Sequence, residues 1–260
     1  VNMIDPFHLE AYGVTTVNYN RDVEIFPVLN ATFEAIFGES PYKSPTDMGV
    51  NMCGFCITDD DACRDASCQE IIRRYYKSLN RQAEGECEHA EVDKIELLMQ
   101  QSKVSVNDRK VVAEALIEAE MKGCPAAAIE LPDGKLVAGK TSSLMGASAA
   151  VLLNAVKELA GIEHDVNLIS PEVIEPVQKL KTAYLGSRNP RLHSDEILIA
   201  LSMCAAHDPQ CQKALDTLHL LRGCQAHSTV MLSSADKRTF KKLGMDLTQE
   251  PVRESNKIYG

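Results

Sequence analysis

The feature that most constrains this chain is Pro132-Asp133-Gly134, a turn-forming triplet between the apolar runs Ala126 to Leu131 and Lys135 to Gly139. Proline presets φ, aspartate bonds its own backbone and glycine accepts a left-handed conformation, so the two runs read as the strands of a hairpin. The stretch Gly134 to Thr141 also matches the G-x-x-x-x-G-K-[ST] phosphate-loop pattern. A phosphate loop needs intervening residues that curl round the phosphates, whereas Lys135-Leu136-Val137-Ala138 reads as extended chain. The hairpin is the expected structure.

At 260 residues the chain exceeds one average domain and can bury a large core without staples. No apolar run approaches the roughly 20 residues of a membrane span, so no membrane partner is expected. Lys and Arg number 27 against 37 Asp and Glu, and the net charge of −10 argues against nucleic acid as a partner. Nine irregularly spaced cysteines, with no charged and apolar leader, fit reduced thiols and a cytoplasmic location.

Asp22 to Phe37 has the three- and four-residue apolar spacing of a helix, kinked or started near Pro27, and a proline-punctuated loop follows from Glu39 to Asp47. Helical stripes dominate from Asp59 to Lys122. Beyond Pro125 strands and helices alternate: the hairpin, a helix over 144–160, a strand over 166–169 and a helix over 171–184. Helices over 195–206 and 211–221, a strand over 226–232, a helix over 235–243 and a strand over 245–248 complete the order. Ser194 is placed to cap the helix that follows it.

Three polar groups could carry chemistry. Gly139-Lys140-Thr141-Ser142-Ser143 opens a helix, where unpaired amides and Lys140 would attract an anion, although Thr141 or Ser142 can equally serve as a plain cap. Gly186 to Ser194 presents Arg188, Arg191 and His193 before another helix start, a pattern apt for phosphate or carboxylate recognition. His227 enters an otherwise apolar strand, at a strand end of the kind that lines clefts in layered α/β folds. Cys53, Cys56, Cys63 and Cys68 are too tightly spaced for a zinc ribbon, so no zinc is expected.

Taken together, Tyr19 to Glu24, Ser40 to Asn51, Leu185 to His193 and Ala226 to Thr229 resemble the C-terminal half of the bacterial proteins grouped as domain of unknown function 1846. The similarity runs through essentially the whole chain. It implies an α/β (mixed α+β) protein: a helical subdomain followed by a three-layer α/β subdomain with cytidine-deaminase-like topology. Residues 1–58 would complete a missing preceding α/β half, 59–123 would form the helical subdomain and 124–260 the α/β subdomain. The resemblance also implies a fragment whose own N-terminal half is a partner. Members have been labelled ATP-dependent peptidases, but no protease constellation is present.

The expectation is a cytoplasmic enzyme part that binds a small-molecule anion, ATP or another phosphate-bearing ligand. Asn20, Tyr42, Lys43, Lys140, Thr141, Arg188 and Arg191 would hold the ligand, and His227 or Asp47 would carry the proton. The alternative is a non-catalytic module for homo-oligomerisation.

Overall fold

The computed structural model describes residues 19–43, Pro45, Met48 and 60–254, with the side chains of 19–23, 60, 62 and 63 left aside. The chain divides into two compact units, Val1–Arg109 and Lys110–Gly260.

The first unit is helical. Helix α1 (Tyr19–Phe37) runs through Pro27 instead of starting there, α2 spans Asp60–Glu84 and α3 spans His89–Ser102. Of the apolar stripe Ile71, Ile72, Tyr75, Tyr76 and Leu79 expected here, Ile71, Ile72 and Tyr76 are buried and Tyr75 and Leu79 half-buried on α2, and Val92 and Met99 are buried on α3. Helix α3 ends on Lys103 at φ 55°, with the amides of Lys103 and Val104 closing on Gln100 and Met99. That left-handed cap on a residue with a Cβ tucks Val104 into the core.

The second unit is a sheet between helices. Helix α4 (Lys110–Lys122) leads into β1 (Ala126–Glu130), β2 (Leu136–Lys140) and α5 (Ala147–Leu159). Then come α6 (Pro171–Lys179), which closes in a π-type turn over Leu180–Tyr184, α7 (Ser194–Ala205) and α8 (Pro209–Asp216). Strand β3 (Gln225–Ser228), α9 (Ser234–Lys242) and β4 (Asp246–Gln249) complete it. The sheet order is β2-β1-β3-β4, antiparallel except for the β3–β4 pair. The pleat divides the core. Ala127 and Ile129 of β1 pack with α5, α7 and α9, whereas Ala128 between them packs with Val111 and Ala115 of α4. The unit is therefore layered α/β, as expected; a deaminase-like topology is not established by this sheet.

Both glycines of the phosphate-loop pattern have structural reasons. Gly134 turns the hairpin at φ 82°, its amide donating to the Leu131 carbonyl at 2.8 Å. A Cβ on Gly139 would lie 2.3 Å from the backbone nitrogen of Val151, so only glycine lets α5 approach β2 this closely.

Two expected strands differ. Residues 166–169 form no strand, and two of their carbonyls, those of Val166 and Leu168, are taken by side chains. The Lys157 ammonium donates to the His164 and Val166 carbonyls at 2.5 and 2.6 Å, and the Cys211 thiol points to the Leu168 carbonyl at 3.0 Å. Strand β3 stops at Ser228, whose hydroxyl turns onto the Val230 carbonyl at 2.8 Å.

Candidate functional site

Strands β2, β3 and β4 run in one direction, so their C-terminal ends gather at one pole of the α/β unit. In open α/β sheets that pole is where helices begin and ligands bind. The Ser142 hydroxyl accepts the amides of Leu144 and Met145 at 3.2 and 3.3 Å, which delays the start of α5 to Ala147. The loop after β2 is then stitched to the loop before α7: Leu192 donates to the Leu144 carbonyl at 3.0 Å and Gly146 to the Leu192 carbonyl at 3.2 Å. The segment holding Lys140 and Thr141 is thereby tied to the one holding Arg191 and His193.

At the centre stands Asp236, in the first turn of α9 and 4% exposed. Its Oδ1 accepts the Ser194 amide at 2.8 Å and the hydroxyls of Ser194 and Ser148 at 2.6 and 2.9 Å. Its Oδ2 accepts the Ser233 hydroxyl at 2.6 Å and faces His193 Nδ1 at 3.0 Å. Burial by itself would raise this carboxyl, but the donors His193, Ser194 and Ser233 outweigh it and hold the group well below the usual carboxylate range.

An ionised carboxylate on Nδ1 makes that nitrogen the donor and leaves Nε2 as the ring atom that can take or give a proton. His193, the N-cap residue of α7, keeps 29% of its side-chain surface exposed. Its bond to Asp236 raises its pKa above the ordinary value; burial and Lys181 oppose the shift, and Glu196 adds to it. The backbone at this position is fixed as well, since the His193 amide donates to Glu196 Oε2 at 2.8 Å. The buried Lys181 in the π-type turn spans the Arg191 carbonyl at 2.6 Å and Glu196 at 2.7 Å.

The residues expected to hold a ligand are distributed unevenly. Lys140 is exposed at the end of β2, Thr141 is buried with its amide on the Pro125 carbonyl at 2.8 Å, and Arg188 is exposed. Arg191 is buried and ion-paired with Glu254. His227 is fully buried, bridging β3 and β4 with Nδ1 2.9 Å from Thr248 Oγ1 and Nε2 3.3 Å from Glu250 Oε1. It stands opposite Ala128, on the α4 side of the sheet, whereas α7 and α9 pack on the other side. In the helical unit, Lys43 is exposed and Tyr42 packs edge-on to Phe33 with ring centroids 5.8 Å apart. The Asn20 side chain, Asp47, Cys53, Cys56 and the Cys63 side chain lie outside the described residues.

The sequence marked the His193 loop by its two arginines and imidazole. Nothing local marked Asp236, since Ser233 to Asp236 reads simply as a helix start.

Two family models match the chain: the N-terminal domain of DUF1846, a domain of unknown function, over residues 1–103, and its C-terminal domain over 107–259. Among curated relatives, UPF0371 proteins of Streptococcus thermophilus and Corynebacterium glutamicum are 54% and 53% identical to it over 259 residues. One from Streptococcus uberis is 56% identical over 260. Each alignment takes in 100% of this chain and 52% of the relative, so the chain spans about half the length of the curated relatives it matches. These matches correct the expectation of a C-terminal half partnered by its own missing N-terminal half, because the chain carries sequence of both family domains. Among the described residues no helix is long and apolar enough to cross a membrane. The chain belongs to the bacterial DUF1846 family.

Proposed function

We propose that the α/β unit carries a small-molecule site at this pole, in which His193 acts as a general acid–base toward a phosphate-bearing ligand. The observation that carries the reading is the His193–Asp236 pair: an imidazole fixed at Nδ1 by a saturated, ionised carboxylate and partly exposed on its remaining surface. Such a carboxylate orients the ring, fixes its tautomer and stabilises the imidazolium, which is what a proton-transferring histidine requires. Support for an anionic ligand comes from the exposed cations Lys140 and Arg188, carried by segments at the same pole.

The test is a thermal-shift screen of ATP, ADP, sugar phosphates and inorganic phosphate, run on the chain and on the His193→Asn and Arg188→Ala variants. The reading predicts a compound that raises Tm and does so less in Arg188→Ala, together with a His193 ring resonance that moves when the compound is added. A ligand that stabilises the chain without disturbing His193 contradicts it.

A further inference from the structure

We infer that Arg191 is the anion-holding residue of this pole, and that in the unliganded chain its guanidinium is occupied by Glu254, which a carboxylate- or phosphate-bearing ligand displaces. The inference rests on the reading of the His193 pole as a ligand site and supplies the group that would recognise the ligand's charge.

Three buried charged groups stand close in sequence or contact here, and two are committed to the fold. Asp236 is saturated by donors from α5, α7 and the start of α9. Lys181 has its ammonium on a backbone carbonyl and on Glu196, which also caps α7. Arg191 differs in what faces it. Its side chain is 8% exposed and its backbone is locked, the amide donating to Asn189 Oδ1 at 3.1 Å and the carbonyl accepting from the Lys181 ammonium. The opposing carboxylate of Glu254 is 32% exposed and lies 63 residues away in sequence, on the irregular segment Pro251 to Glu254 after β4.

A guanidinium cannot shed its charge when buried, so it needs an anion in the folded chain. Its planar fork suits a carboxylate or phosphate group equally well. The fixed partner is therefore the cation and the exchangeable one is the anion. Arg191 lies two residues before His193, on the same segment leading into α7.

The experiment measures inorganic phosphate and acetate binding to the 260-residue chain by calorimetry, with the His193 ring followed by NMR. The expected result is that Glu254→Gln tightens phosphate binding about five- to tenfold, the gain from removing a competing, partly exposed carboxylate. Arg191→Gln should abolish binding in both backgrounds, while Arg191→Lys, which keeps the charge and loses the fork, should bind more weakly than the parent. Unaltered affinity in Glu254→Gln, or binding that survives in a folded Arg191→Gln protein, overturns the inference. If His193 titrates high and answers to another ligand while Arg191 plays no part, only this inference falls. Tightened phosphate binding that leaves the His193 ring undisturbed keeps the Arg191 subsite and removes the acid–base reading.

Discussion

The two units differ in their most buried ion pairs. On α2 of the helical unit, Glu70 pairs with Arg73 and Arg74, and Arg64 with Asp61, at three- and four-residue spacings on solvent-reached surface. Such pairs follow from helix geometry and contribute little each. The α/β unit also has exposed pairs, Lys135 with Glu158 and Lys110 with Glu130, but two others join residues 43 and 63 apart in sequence, His193 with Asp236 and Arg191 with Glu254, and bury at least one partner. Buried charge is costly unless every lone pair and proton is satisfied, so it persists where a fold can supply the partners. Arg109 is the helical unit's exception, fully buried with a nitrogen 3.1 Å from Gln69 Oε1. The contrast teaches where chemistry can reside: solvated helix pairs are replaceable, whereas an oriented, partly exposed imidazole on a buried carboxylate is specified by three helix starts at once.

The sharpest break of this comparison is Asp236→Ala. It leaves Ser148, Ser194, Ser233 and His193 without their acceptor and should cost about 3–5 kcal/mol by chemical denaturation. Gly139→Ala follows, since its Cβ would meet the backbone of Val151 at 2.3 Å and push α5 from the sheet. We expect about 2–3 kcal/mol there, measured in the same way. Glu70→Ala should cost about 1 kcal/mol or less, although it removes two ion pairs at once. A larger loss at Glu70 than at Asp236 would erase the distinction between the units.

A smaller effect sharpens the comparison through pH. The folded pKa of His193 is raised, so its contribution is complete below the unfolded histidine value of about 6.5 and is lost as pH rises through the folded value. The folded pKa of Asp236 is depressed, so its contribution is present above about 4 and is lost as pH falls through the folded value. The pair therefore stabilises most between those limits, and Asp236→Asn should flatten stability against pH on the alkaline side. Glu70→Gln should leave the profile unchanged there.

Local chemistry made much of this fold legible. The hairpin came from three turn residues and the helices from apolar spacing, but the expected caps missed: His193 and not Ser194 caps α7, and Gly146 and not Thr141 or Ser142 caps α5. The strand expected at 166–169 failed because a short apolar run does not reveal its backbone partners, which here are the side chains of Lys157 and Cys211. Gly139 matched a nucleotide pattern because a glycine needed for close helix packing looks, in sequence, like one needed for phosphate. The His193 loop announced itself by composition, but its significance depends on Asp236, which the crossover from β3 to α9 delivers. His227 drew notice as a polar residue in an apolar strand, and its full burial became visible only with the sheet register and the α4 layer.

The most direct test of the account is an NMR titration of the His193 ring in the parent chain and in Asp236→Asn. The account predicts a parent pKa above the ordinary histidine value, with proton exchange reported at Nε2, and a lower pKa when the carboxylate is neutralised. A parent value at or below that of a free histidine, unmoved by the substitution, would contradict it.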